Sequence, residues 1–115
     1  MHFKSIAAVI GLALALFFGA IVSEAFAAGS VKWHSFQDGV ALGQQKNKKV
    51  FVNFFADWCA YCKQMDSETF ADSAVGAFLN KNFIPVRVNA DLETQLASEY
   101  HVQGLPVSTF IGEDG

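Results

Sequence analysis

Cys59 and Cys62 are the only cysteines in the chain, and Ala60 and Tyr61 stand between them. Side chains at i and i+3 lie about one turn apart on a helix, so this pair can close a small disulfide with little backbone movement. A cysteine at a helix N-terminus meets unpaired N–H groups and the positive end of the dipole, and both favour its thiolate. The thiolate is the attacking species in disulfide exchange. This spacing assigns Cys59 as the nucleophile and Cys62, one turn further on, as the thiol that resolves the mixed disulfide.

Other uses of the pair stand beside that one. A purely structural bridge would close too short a loop to constrain the unfolded chain much. Zinc wants four ligands, and past the N-terminal segment the chain adds only the histidines His34 and His101, far apart and without helical spacing. Copper(I) can be held by two thiolates alone, so a copper-handling module remains an alternative. A domain that binds partners without redox chemistry is another. Exchange needs no cofactor and no metal.

The flanking sequence sets the framework for the pair. Residues 50–55, Val-Phe-Val-Asn-Phe-Phe, form a nearly continuous apolar run rich in β-branched and aromatic types. Such a run predicts a strand buried on both faces, which implies a parallel sheet. Asp57 and Trp58 lead from it into a helix over 59–69. Upstream, 31–33 predicts a short strand, and Ser30 or Ser35 starts a helix to about Lys46 with Phe36, Val40 and Leu42 on one face. Lys46, Lys48 and Lys49 form a solvated basic helix end, which suits the dipole. Downstream, Asp72 is an N-cap for a helix through Leu79, and 83–88 is a strand with Pro85 near its start. Residues 92–100 are helical, 107–111 form a last strand, and 112–115 a hairpin turn. Alternating strands and helices give an α/β class, and a CxxC after the buried strand of such a pattern reads as a redox motif.

The chain has 115 residues, a net charge of −3 and 52% hydrophobic residues. Mild acidity argues against nucleic acid as a partner, because phosphate binding needs a basic face. The N-terminus has the layout of an export signal: a charged start at 1–4, an uncharged apolar stretch at 6–22, and Ser-Glu-Ala-Phe-Ala at 23–27. This places a signal peptide at 1–27, cleaved after Ala27, and one domain at 28–115. The alternative is an uncut membrane anchor. The apolar stretch is short for a span and is interrupted by Gly11 and Gly19. No cysteine follows the cleavage point, which argues against a lipid anchor. An exported domain works where a cysteine pair can be oxidised, so the expected location is the periplasm.

The run from Phe54 to Lys63, Phe-Phe-Ala-Asp-Trp-Cys-Ala-Tyr-Cys-Lys, together with Gly104-Leu105-Pro106 before a strand, resembles the thioredoxin-like superfamily. Within it, 56–70 most resembles the C-terminal periplasmic domain of the thiol:disulfide interchange protein DsbD family and its small exported relatives. The resemblance covers about 31–115. It implies a thioredoxin fold, with a central mixed sheet flanked by helices, and a thiol-disulfide oxidoreductase of protein-disulfide reductase type. The implied partners are disulfide-containing substrate proteins and an upstream thiol electron donor. Pro106 would be a cis-proline facing the cysteines. Leu105 would offer backbone groups to a substrate chain as a short β-addition, and Trp58 would complete the substrate-binding surface.

Two departures from the family pattern stand out. Thioredoxins usually bury an Asp in the strand before the motif, as proton acceptor for the resolving cysteine, and Asn53 occupies that place here. An amide does not take up a proton in this pH range. At about 100° per residue, Cys59, Cys62 and Asp66 share a helix stripe about 60° wide, so Asp66 is the candidate acid–base group. The DsbD-type domain also carries an acid there. The alternative for Asp66 is a solvated helix face, where Glu68 also belongs. Second, the family fold continues past the final turn with one more strand and a covering helix. This sequence stops at Gly115, so the domain reads as C-terminally incomplete, with 107–111 an apolar edge prone to association. Ala60 and Tyr61 place no positive charge between the cysteines, whereas strong oxidants of the fold use a His there. That favours a reductant or exchange protein.

Overall fold

A computed structural model describes residues 29–115. The expected signal segment and its cleavage point lie outside the described residues. Among the described residues, no helix is long and apolar enough to cross a membrane.

Helix α1 (Phe36–Lys46) begins at Ser35, whose Oγ accepts from the Asp38 N–H at 3.3 Å, and stops at Asn47 in the left-handed conformation. Its buried positions are Gly39 and Gly43, one turn apart. A Cβ at Gly39 would run into Val86 Cγ2, so glycine lets the helix backbone lie directly on the sheet. Phe36, Val40 and Leu42 pack beside them as expected. The Lys48 ammonium, past the helix end, donates to the Lys81 carbonyl at 2.9 Å.

Strand β1 (Val50–Phe55) is the centre of a three-stranded sheet. It pairs parallel with β2 (Ile84–Asn89) and antiparallel with β3 (Val107–Ile111), in the order β2-β1-β3. The apolar run therefore marks burial correctly, but the sheet is parallel on one side of β1 only. Successive side chains on β1 alternate between faces. Val50, Val52 and Phe54 join Ile84, Val86, Val88 and Ile111 in the main core, each at most 6% exposed. At about 1.5–3 kcal/mol for each large apolar side chain fully buried, this cluster is the main stabilising feature of the fold. Phe51 and Asn53 face the other layer. There Phe51, Trp33 and Phe70 stack edge-on or tilted, with centroids 5.0–6.4 Å apart.

No strand forms at 31–33. Only His34 bridges to Val86, while Asn80 satisfies the segment before it, accepting from the Lys32 N–H and donating to the Ser30 carbonyl. A side chain on α3 (Ser73–Asn82) thus takes the place of ladder bonds. Asp72 caps α3 through two backbone N–H groups, and the helix runs three residues past the expected end. Helix α4 (Thr94–Glu99) starts later than expected, because Asn89 draws Asp91, Leu92 and Glu93 into a turn. Among the described residues, no strand or helix follows β3. One edge of β3 is free of ladder bonds, and Phe110 on it is 58% exposed.

Candidate functional site

Strand β1 ends at Phe55, and the chain turns through Ala56, Asp57 and Trp58 into α2 (Ala60–Met65). The Cys59 N–H closes this turn on the Ala56 carbonyl at 3.2 Å. Cys59 is the N-cap: its Sγ accepts from the Cys62 backbone N–H at 3.1 Å. The two cysteines form a disulfide with their Cα atoms 5.2 Å apart. Each is 3% exposed and packs with Ala56, Phe55 and Leu105. Their neighbours Trp58 and Tyr61 are 70% and 73% exposed. The cysteines are therefore buried while their sequence neighbours Trp58 and Tyr61 stand in solvent.

The expected helix over 59–69 forms over 60–70 but changes type part-way. After Met65 the backbone widens into a π-helical turn, Asp66–Phe70, closed by the Ala71 N–H on the Asp66 carbonyl. This turn carries Phe70 into the aromatic layer beside Trp33 and Phe51. Asp66 and Cys62 line one small cavity of about 290 Å³, with Asp57, Lys63 and Arg87. The Asp66 carboxylate is not free. Arg87 Nη2 donates to both its oxygens, at 2.9 and 3.0 Å. Arg87 had no part in the sequence reading. Its signal was a cation in a strand otherwise made of Ile, Pro, Val and Asn, since a charge there needs a partner.

A second cavity, of about 390 Å³, is bounded by Leu105, which also packs against the cysteines. Trp58, Val102 and Leu105 supply its apolar wall, and Asp91, Thr94 and Ser98 line its polar side. Trp58 Nε1 donates to Asp91 Oδ2 at 2.8 Å, which fixes the indole at the rim. The Leu105–Pro106 peptide bond is cis. Asp91 is a second site neighbour that the sequence reading missed, because it lies in a turn with no motif of its own. Asn53 is 1% exposed under the site, with its Nδ2 3.8 Å from Met65 Sδ and 3.5 Å from Ser108 Oγ. Among the described residues, no three His, Cys, Asp or Glu side chains gather as a metal-ligand set.

A sequence profile described as a thioredoxin-like domain matches residues 36–115. The chain belongs to the thioredoxin-like domain family. It is 36% identical over 83 residues to the thiol:disulfide interchange protein DsbD of Vibrio vulnificus, covering 69% of this chain and 14% of that protein. The chain thus spans about one seventh of the length of the curated DsbD relatives it matches. A solved structure of a Thermus thermophilus thioredoxin superposes with a TM-score of 0.65 at 31% identity, over 70% of this chain and 64% of that one. The oxidoreductase DsbH superposes with a TM-score of 0.68 at 22% identity, over 75% and 68%, and supports the fold.

Proposed function

We propose that the chain is an exported, periplasmic thiol-disulfide oxidoreductase of protein-disulfide reductase type, with its domain at 28–115 following a cleaved signal peptide. The observation that carries this reading is the Cys59–Cys62 disulfide at the mouth of α2, beside the groove walled by Trp58 and Leu105. Kinship with DsbD supports it.

In the reduced form, Cys59 attacks one sulfur of a substrate disulfide. The substrate S–S bond breaks, a Cys59–substrate bond forms, and the leaving sulfur takes the electron pair and a proton. Cys62 then gives up its proton and attacks Cys59 Sγ, which releases the second substrate thiol and leaves the chain oxidised. Two electrons and two protons have passed to the substrate. An upstream dithiol donor restores the pair. The Cys62 N–H, which donates to Cys59 Sγ in the disulfide, is placed to stabilise charge on that sulfur when the bond opens.

Trp58, Leu105 and Pro106 hold the substrate chain, with Leu105 offering backbone groups beside the disulfide. Asp66, on the wall of the Cys62 cavity, is the acid–base group for the resolving step. The net flow is reducing. The spread between thioredoxin, at about −270 mV, and DsbA, at about −120 mV, tracks stabilisation of the reduced form. Ala60 and Tyr61 supply no positive charge to that end.

Trapping tests the assignment. Cys62→Ala leaves the mixed disulfide unresolved, so it accumulates partners through Cys59, whereas Cys59→Ala traps far fewer. Equal trapping by the two variants overturns the roles. Equilibration of the unsubstituted pair with glutathione is expected to give a potential nearer thioredoxin's than DsbA's, and a DsbA-like value reverses the direction.

A further inference from the structure

Arg87 stands in the middle of β2, and its guanidinium lies between two aromatic rings. Its Cζ is 4.3 Å from the Phe55 centroid and 5.2 Å from that of Trp33. Its Nη2 grips both oxygens of Asp66. Its Nε is buried and has no hydrogen-bond partner among the described residues. A methionine would fill the same slot and bury no donor, so packing alone is better served without the arginine. What the arginine adds is a fixed charge next to a carboxylate on the wall of the Cys62 cavity.

We propose that Arg87 is a positioning residue for the Cys62 half of the redox pair: wedged between Trp33 and Phe55, it pins Asp66 against the Cys62 cavity and balances the carboxylate's charge there. The charged groups that face Cys62 are Asp57 from the loop after β1, Lys63 on α2, Asp66 on the π-helical turn and Arg87 on β2. There are two of each sign. The loop before β3 adds only Leu105, which is apolar. Without Arg87 the set carries a net negative charge, and a charge on the Cys62 sulfur is disfavoured. The affected step is opening of the disulfide, in which a donor dithiol gives up two electrons and two protons and itself becomes a disulfide. One of those protons comes to rest at Cys62 or leaves it during resolution.

The inference rests on the exchange reading, but its test does not need turnover. In the full chain carrying Cys59→Ser, Cys62 is the sole thiol, and its ionisation is followed by thiolate absorbance against pH. Arg87→Met is expected to move the midpoint up by about one pH unit, and Asp66→Asn to move it down. Combining the two returns it toward the starting value, and Arg87→Lys, which keeps the charge but not the planar group packed on the rings, shifts it less than Arg87→Met. A midpoint that stays put in a folded Arg87→Met chain overturns the inference. Should that variant fail to fold, Asp66→Asn decides alone, because it leaves the arginine packing in place, and an unmoved midpoint there has the same meaning. In the two-cysteine chain, held at a pH above both Cys62 midpoints so that the thiolate is populated, Arg87→Met is expected to shift the equilibrium with glutathione about tenfold toward the protein disulfide, or about 30 mV. Failure of the unsubstituted chain to equilibrate with glutathione sinks the exchange reading and leaves the Cys62 midpoint as an independent result.

Discussion

Two unlike cavities neighbour the disulfide, one lined by Cys62 itself and the other reached through Leu105. On the Trp58 side lies an open groove of about 390 Å³ with an apolar wall and an indole tied down by Asp91. On the Cys62 side lies a smaller cavity, about 290 Å³, whose lining includes four charged residues, two of them locked in an ion pair. The first half has shape and exposed aromatic surface, which suit a chain that must bind and leave. The second has fixed charge beside a buried sulfur, which suits control of a proton. The two cysteines are equally buried and one helical turn apart, yet only Cys62 lines the charged cavity. The CxxC spacing alone treats them as a pair. Their neighbours make them unequal.

If the halves are separate in function, substitutions on the groove side change substrate affinity and leave the reduction potential alone. Trp58→Ala removes the largest exposed surface of the groove. It is expected to raise KM for a peptide disulfide about tenfold, equivalent to about 1.4 kcal/mol, with the glutathione equilibrium unchanged. A shift in potential of the same size would show that the indole also acts on the sulfurs, and the division would fail. Asp91→Asn keeps the size of the side chain and weakens one exposed hydrogen bond to the indole. It should move KM in the same direction, by about threefold. Steady-state kinetics with one peptide and one small disulfide separates the two effects, since the small disulfide does not fill the groove.

The two halves were also unequally legible in the sequence. The Cys59 side follows from local signals: a buried strand, a turn, and a cysteine that caps the next helix, all within ten residues of chain. Ser35 and Asp72 were readable as caps for the same reason, because a side chain that bonds the next turn's N–H leaves its mark at fixed spacing. The Cys62 side depends on contacts across the fold. Arg87 is 21 residues from Asp66 in sequence and reaches it only because β2 lies beside β1. Read as one regular helix over 59–69, the sequence places Asp66 on the stripe of both cysteines, and the structure puts it in a cavity with Cys62. The widened turn that carries Phe70 into the Trp33 layer was not visible, since its cause is a tertiary aromatic cluster. The missing strand at 31–33 has a similar origin. Asn80, on a helix far along the chain, offers the backbone a better partner than a sheet edge does.

The smallest effect is expected at Asn53, which is buried on β1 and lines neither cavity. Its Nδ2 points at Met65 Sδ and Ser108 Oγ, at 3.8 and 3.5 Å, so neither contact is short. Asn53→Asp places a carboxylate where the amide now sits. Ser108 can turn its hydroxyl to donate to it, but Met65 has no proton to offer, so the new group is poorly satisfied and the fold loses stability. A buried carboxylate that lacks partners takes up a proton readily, which is the property a base for Cys62 needs. Because Asp66 already lines the Cys62 cavity, the gain is modest, and the resolving step near neutral pH is expected to quicken about twofold in single-turnover measurements. The same substitution made together with Asp66→Asn should show a larger gain, since the added carboxylate is then the nearer acceptor. If the gain is equal in both backgrounds, the Cys62 proton does not pass through Asp66, and the charged half of the site acts on the sulfur through its field alone.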